Sequence, residues 1–89
     1  MKPVKIPIND MLDLHTFRPQ EISDLLDDYF SACGEAGIFS IRIIHGRGKG
    51  ILKKRVQSIL GHHPQVVSYK TAPPEAGGWG ATLVELKRL

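Results

Sequence analysis

Asp13 and His15 stand two residues apart in MLDLH (11–15), and His45 opens HGRGKG (45–50), where glycines alternate with cations. A carboxylate beside an imidazole can orient a water or hydroxyl and shuttle its proton, because imidazole titrates near neutral pH. A glycine loop running into a helix does different work. Its backbone approaches an anion closely, and the helix N-terminus presents free N–H groups and a partial positive charge. Arg47 and Lys49 add full charges to that loop. Proton transfer next to a phosphate cradle is the chemistry these residue types suit, with Asp13, His15 and His45 as candidate catalytic groups. From spacing alone, a tight strand-to-helix turn with solubilising cations fits the glycine loop equally well.

Familiar phosphate motifs narrow the reading. GRGKGILK does not supply the G-x-x-x-x-G-K-[ST] of a Walker loop, and Ile51 stands where G-x-G-x-x-G needs its last glycine, so a nucleotide cofactor is not expected. One cysteine and no H-x₃₋₅-H spacing leave too few ligands for zinc. A loosely held Mg²⁺ or Mn²⁺ at Asp13 is compatible with the sequence. Gly78, Trp79 and Gly80 close the stretch PPEAGGWG (73–80). The indole either packs over the core edge or stacks on an unpaired base beside a basic groove. His62 and His63 follow a helix end and read as solvent-exposed.

These groups need elements to position them. Residues 11–15 alternate as a short strand, with Leu12 and Leu14 on the core face and Asp13 and His15 opposite. Pro19 suits the first turn of a helix. Ile22, Leu25, Leu26, Tyr29, Cys33 and Ala36 then recur at helical spacing, with Asp24, Asp27, Asp28 and Glu35 off the stripe and Gly37 as C-cap. FSIRIIH (39–45) is a β-branched strand. A second helix is predicted over roughly 51–61. Ile51, Leu52, Val56, Ile59 and Leu60 form its apolar side, Lys53 and Lys54 point elsewhere, and Gly61 and Pro64 stop it. Residues 66–72 and 81–87 read as strands.

The order β-α-β-α-β-β predicts an α/β two-layer sandwich, a four-stranded mixed sheet with two helices on one face. Right-handed helical crossovers make the first three strands parallel and the last antiparallel. Open α/β sheets bind ligands at the carboxyl ends of their strands. That edge gathers His15, His45 with its glycine loop, and the GGWG segment.

Bulk properties fit one domain over 11–89, preceded by an extended arm over 1–10 in which Val4, Ile6 and Ile8 alternate. The chain has 89 residues, 42% hydrophobic and 24% charged. No apolar run approaches the roughly 18 residues of a membrane helix, and no signal h-region is visible. The lone Cys33 reads as a buried helix residue in a reducing compartment, which predicts a cytoplasmic protein with no membrane association. Net charge is +3, but it is unevenly spread. Residues 1–40 carry Lys2, Lys5 and Arg18 against seven acids, whereas Arg42, Arg47, Lys49, Lys53, Lys54 and Arg55 follow one another with no acid between. Such a patch attracts polyanions, although helix lysines taken alone are more often a solvated face.

Three stretches together, LDLH before a helix, IIHGRGKG opening a basic helix, and GGWGATLVEL near the C-terminus, resemble the Smr domain, the small MutS-related module. The likeness runs from about Leu12 to Leu86. It implies a β-α-β-α-β-β sandwich similar to the C-terminal domain of translation initiation factor 3. It also implies nucleic-acid binding, with nicking or structure-selective endonuclease activity on DNA or RNA in several members. Leu12, Asp13, Leu14 and His15 match the first motif, and His45, Gly46, Arg47 and Gly48 the second. Many members read LDLHG, whereas Thr16 stands here, followed by Phe17-Arg18-Pro19. A threonine beside the site leaves both endonuclease and non-catalytic nucleic-acid-binding module standing; its hydroxyl and Arg18 are candidate phosphate contacts. The expected nucleic-acid surface is Thr16, Arg18, Gly46, Arg47, Gly48, Lys49, Gly50, Lys53, Lys54, Gly78, Trp79 and Gly80. Docking of a protein partner on the acidic first helix is a third reading with no distinguishing feature of its own.

Overall fold

The computed structural model describes residues 10–46, 48 and 50–88. The arm, except Asp10, and two loop cations, Arg47 and Lys49, lie outside them. Four strands and two helices follow in the order β1 (Met11–Asp13), α1 (Ile22–Ala36), β2 (Ser40–Ile44), α2 (Ile51–His62), β3 (Val66–Thr71) and β4 (Ala81–Leu86). A single turn at Pro19–Glu21 leads into α1, and two more, Pro74–Ala76 and Gly78–Gly80, fill the last connection. No described helix is long and apolar enough to cross a membrane.

The sheet runs β1-β2-β4-β3. β1 is parallel to β2, and β4 is antiparallel to both β2 and β3, so the first three strands point one way as the crossovers predicted. β4 lies between β2 and β3. Register pairs Asp13 with Ile44 and Ile44 with Ala81. The ends of β1 and β2 therefore meet the start of β4.

Alternation divides the sheet faces. Leu12, Leu14, Ile41, Ile43, Val84 and Leu86 share one core with Ile22, Leu26, Tyr29, Phe30 and Cys33 of α1 and Val56 and Leu60 of α2. Both helices thus cover one face. Burying each such side chain contributes about 1.5–3 kcal/mol. On the other face Ser40, Arg42, Ser68, Lys70, Leu83 and Glu85 line an open trough of about 630 Å³.

Several boundaries differ from the sequence reading. β1 ends at Asp13, and the Leu14 N–H donates to the Ile44 carbonyl at 2.7 Å, so His15 emerges in the turn beyond the ladder. Gly61 lies inside α2, and His63 is its extended C-cap. Pro64 follows directly. Gly37 caps α1 in the left-handed region, as expected.

Candidate functional site

His15 stands at the sheet edge because β1 pairs with β2 up to Asp13 and then turns; the Phe17 N–H closes that turn on the Leu14 carbonyl at 2.9 Å. Asp13 Oδ1 accepts two bonds from His15, one from the backbone N–H at 3.0 Å and one from ring Nδ1 at 2.5 Å. Both side chains remain open to solvent. Partial burial pushes the Asp13 carboxyl up. The ring and backbone bonds from His15, with the imidazole charge, outweigh that and hold it below the ordinary carboxylate value. With Nδ1–H committed to Asp13, the Nε2 atom of His15 is directed away from the carboxylate and can take or give a proton.

His45 is placed by β2 and β4 together. Its N–H and that of Gly46 both donate to the Gly80 carbonyl at 3.0 Å, tying the glycine loop to the segment that carries Trp79. His45 is 4% exposed. Nδ1 lies 3.1 Å from the Gly46 carbonyl and Nε2 lies 2.9 Å from the Thr82 hydroxyl. A carbonyl can only accept, so Nδ1 carries the proton and Nε2 accepts from Thr82. Burial pushes the His45 pKa down and the neighbouring Lys53 charge does the same, against the opposing Gly46 bond. The ring is therefore neutral and held on both sides, with no ring nitrogen left over for a ligand. Thr82, which sequence reasoning passed over, faces the core because Thr82, Val84 and Leu86 alternate inward along β4.

A cleft of about 240 Å³ lies between these groups, lined by His15, His45, Gly46, Gly48, Gly50 and the first turn of α2. Gly46 has φ 82, and a Cβ on it would stand 3.6 Å from that of His15. The first helical bond of α2 runs from the Lys54 N–H to the Gly50 carbonyl. The amides of Ile51, Leu52 and Lys53 precede it and have no partner within the helix, and Gly50 at the N-cap has no side chain to cap them.

The remaining expected contacts divide. Lys54, Thr16 and Arg18 are exposed. None of the three lines the cleft. The Arg18 N–H is taken by the Glu21 carboxylate at 2.8 Å. Gly78 is held by its N–H to the Pro73 carbonyl at 3.0 Å, and Gly80 is buried behind His45. Lys53 does not point away into solvent as expected. It is 6% exposed, and its ammonium sits 3.2 Å from the centroid of the Trp79 ring. Its spacing to Val56 and Leu60 puts it on the buried stripe, a signal its charge concealed. His63 is likewise not solvent-exposed. It packs edge-on against Phe30 at 5.0 Å and bonds Asp27 at 2.8 Å, joining the two helices. Among the described residues no three His, Cys, Asp or Glu side chains gather as metal ligands.

Comparison with known proteins places the fold. The Smr domain family model matches residues 12–87. Endonuclease MutS2 of Helicobacter pylori strain 26695 is 43% identical over 75 residues, and that of Staphylococcus carnosus 41% over 76; these cover 84% and 85% of this chain and 10% of each relative. The chain thus spans about a tenth of the length of the curated relatives it matches. The crystal structure of the Smr domain of Thermus thermophilus MutS2 superposes with TM-score 0.83 at 29% identity, over 89% of this chain and 99% of that one. YdaL, a stand-alone small MutS-related protein from Escherichia coli, superposes with TM-score 0.82 at 28% identity, covering 94% and 69%.

Proposed function

The chain belongs to the Smr domain family, and from that premise we propose that it binds a sugar-phosphate chain in the cleft and cleaves a phosphodiester bond of DNA or RNA with Asp13 and His15. The observation that carries this reading is the Asp13–His15 pair at a cleft bordered by helix-terminal amides. Asp13 holds His15 in the Nδ1–H form, so Nε2 takes a proton from the attacking water or hydroxyl. A bond from that oxygen to phosphorus forms as the bond to the leaving oxygen breaks; the leaving oxygen, on the far side of the phosphorus, takes a proton from water, and the imidazolium passes its own to solvent. Amides of the glycine loop and of the first turn of α2 hold the non-bridging oxygens as charge develops. His45 acts through Gly46, fixing the loop rather than touching the phosphate. Gly48 supports close approach of a ligand: its φ is not in the left-handed region, and a Cβ there would meet nothing within 4 Å, so the fold itself does not call for glycine. Arg47, Lys49 and Lys54 supply long-range attraction. Asp13 has only Oδ2 uncommitted, so a Mg²⁺ or Mn²⁺ ion there would draw most of its ligands from water and phosphate. Cys33, fully buried and unpaired, is consistent with a reducing, cytoplasmic setting.

The test is nicking of supercoiled plasmid and of structured RNA by wild type, Asp13→Asn and His15→Ala, each with Mg²⁺ and with chelator. Turnover should fall about 10²–10⁴-fold in both variants while binding stays within a few-fold. Binding without turnover in wild type leaves a non-catalytic module, the reading that Thr16 in place of glycine keeps open. Equal turnover in all three proteins overturns the assignment of the pair.

A further inference from the structure

The Trp79 ring carries an ammonium over one face and belongs to an exposed residue. Lys53 approaches it to 3.2 Å from the centroid, and Lys53 is itself more than nine-tenths buried. Yet Trp79 is 56% exposed. With the ammonium over one face, an exposure this large is best accounted for by the opposite face and outer edge of the ring. An exposed indole with no function is usually free to turn. This one is held by a cation whose stem is packed in the protein, beside a cleft that the same lysine lines together with His15.

We propose that the open face of Trp79 is a stacking site for an unpaired base, purine in preference to pyrimidine, which selects single-stranded nucleic acid at the cleft. This rests on the reading of the cleft as a sugar-phosphate site and names its substrate class. A base inside a duplex is stacked on both sides and has no face to offer; an unpaired one does. The cation on the far face draws electron density from the indole and favours an electron-rich partner on the near face. Purines also present the larger stacking area. Lys53 is then a positioning residue: it holds the ring and does not contact phosphate.

Trp79 is the chain's single tryptophan, so fluorescence excited at wavelengths beyond tyrosine absorption reads this ring alone. The experiment titrates a His15→Ala protein, to prevent turnover, with oligoadenylate, oligothymidylate and a blunt duplex of equal length at one salt concentration. Single strands should quench saturably, oligoadenylate at lower concentration, and the duplex should quench little. Stacking typically contributes ~1–3 kcal/mol per base, so Trp79→Leu should weaken oligoadenylate binding about 5- to 150-fold by anisotropy, and Trp79→Phe should restore part of it. Lys53→Met should reduce single-strand affinity and alter tryptophan emission, with thermal melting to check folding. Equal duplex and single-strand quenching, or unchanged affinity of Trp79→Leu, overturns the stacking site. Those results leave the Asp13–His15 chemistry untouched. Conversely, turnover independent of Asp13 and His15 overturns the chemistry and not the stacking.

Discussion

Thr82→Val is the sharpest probe of how the site is held. Threonine and valine have nearly the same shape, and Thr82 is fully buried, so the change removes a hydroxyl and little else. His45 Nε2, 2.9 Å from that hydroxyl, loses its donor. Among the described residues no other group bonds that nitrogen, and His45, 4% exposed, has little access to water. Protonation offers no escape, since a buried imidazolium beside Lys53 is disfavoured twice over. An orphaned buried acceptor costs about 1–3 kcal/mol. For a domain of this size about 1 kcal/mol moves Tm by roughly 4–8 °C, so thermal unfolding by circular dichroism should show a loss of ~4–24 °C. The companion measurement is Thr82→Val made in a His45→Leu background. With both partners apolar no acceptor is stranded, and the valine should then cost almost nothing. A Tm within about 1 °C of wild type for Thr82→Val, or equal losses in both backgrounds, would refute the hydrogen-bond assignment and the His45 tautomer with it.

Acidification should destabilise the fold in a definite window. His45 binds its proton more weakly when folded than when unfolded, so its stability contribution is whole above the ordinary imidazole value of 6.5 and is lost as pH falls below it. Asp13, also depressed, adds a loss below 3.8. Urea midpoints taken from pH 8 to pH 5 should decline, and His45→Leu should decline less; a midpoint that rises on acidification contradicts the account. Gly77→Ala should destabilise by about 1–3 kcal/mol, since φ is 114 and the added Cβ would lie 2.9 Å from that of Ala81. The same variant should disturb tryptophan emission two residues away; unchanged melting and emission would show that this turn relaxes freely.

Much of the architecture could be read because its signals are local. The stripe from Ile22 to Cys33 and the alternation through Leu12 and Leu14 each report one element's buried side, although Ala36, expected on that stripe, is exposed. Crossover chirality then fixed the strand directions, and with them the edge at which His15 and His45 emerge. Strand order was not legible. Nothing local in ATLVEL distinguishes an edge position from the slot between β2 and β3, because the pairing of Ile44 with Ala81 joins residues far apart in the chain. Lys53, His63 and Thr82 were misjudged or missed for a common reason: each is a polar residue on a buried face, and each is tolerated there by one distant partner, Trp79, Asp27 or His45. A reading by residue type sees the charge or hydroxyl and assigns it to water, whereas the periodicity of Lys53 with Val56 and Leu60 already placed it inward.

The insertion of β4 between β2 and β3 has a consequence for how the molecule comes into being. A ribosome delivers β1, α1, β2, α2 and β3 before it delivers the strand that joins β2 to β3. Until β4 clears the exit tunnel, β3 has no neighbour, Gly80 cannot receive the His45 and Gly46 amides, and Lys53 has no indole above it. The nascent chain thus carries both histidines of that edge before it can hold them in their final geometry, and the edge is complete only once synthesis of the domain is complete.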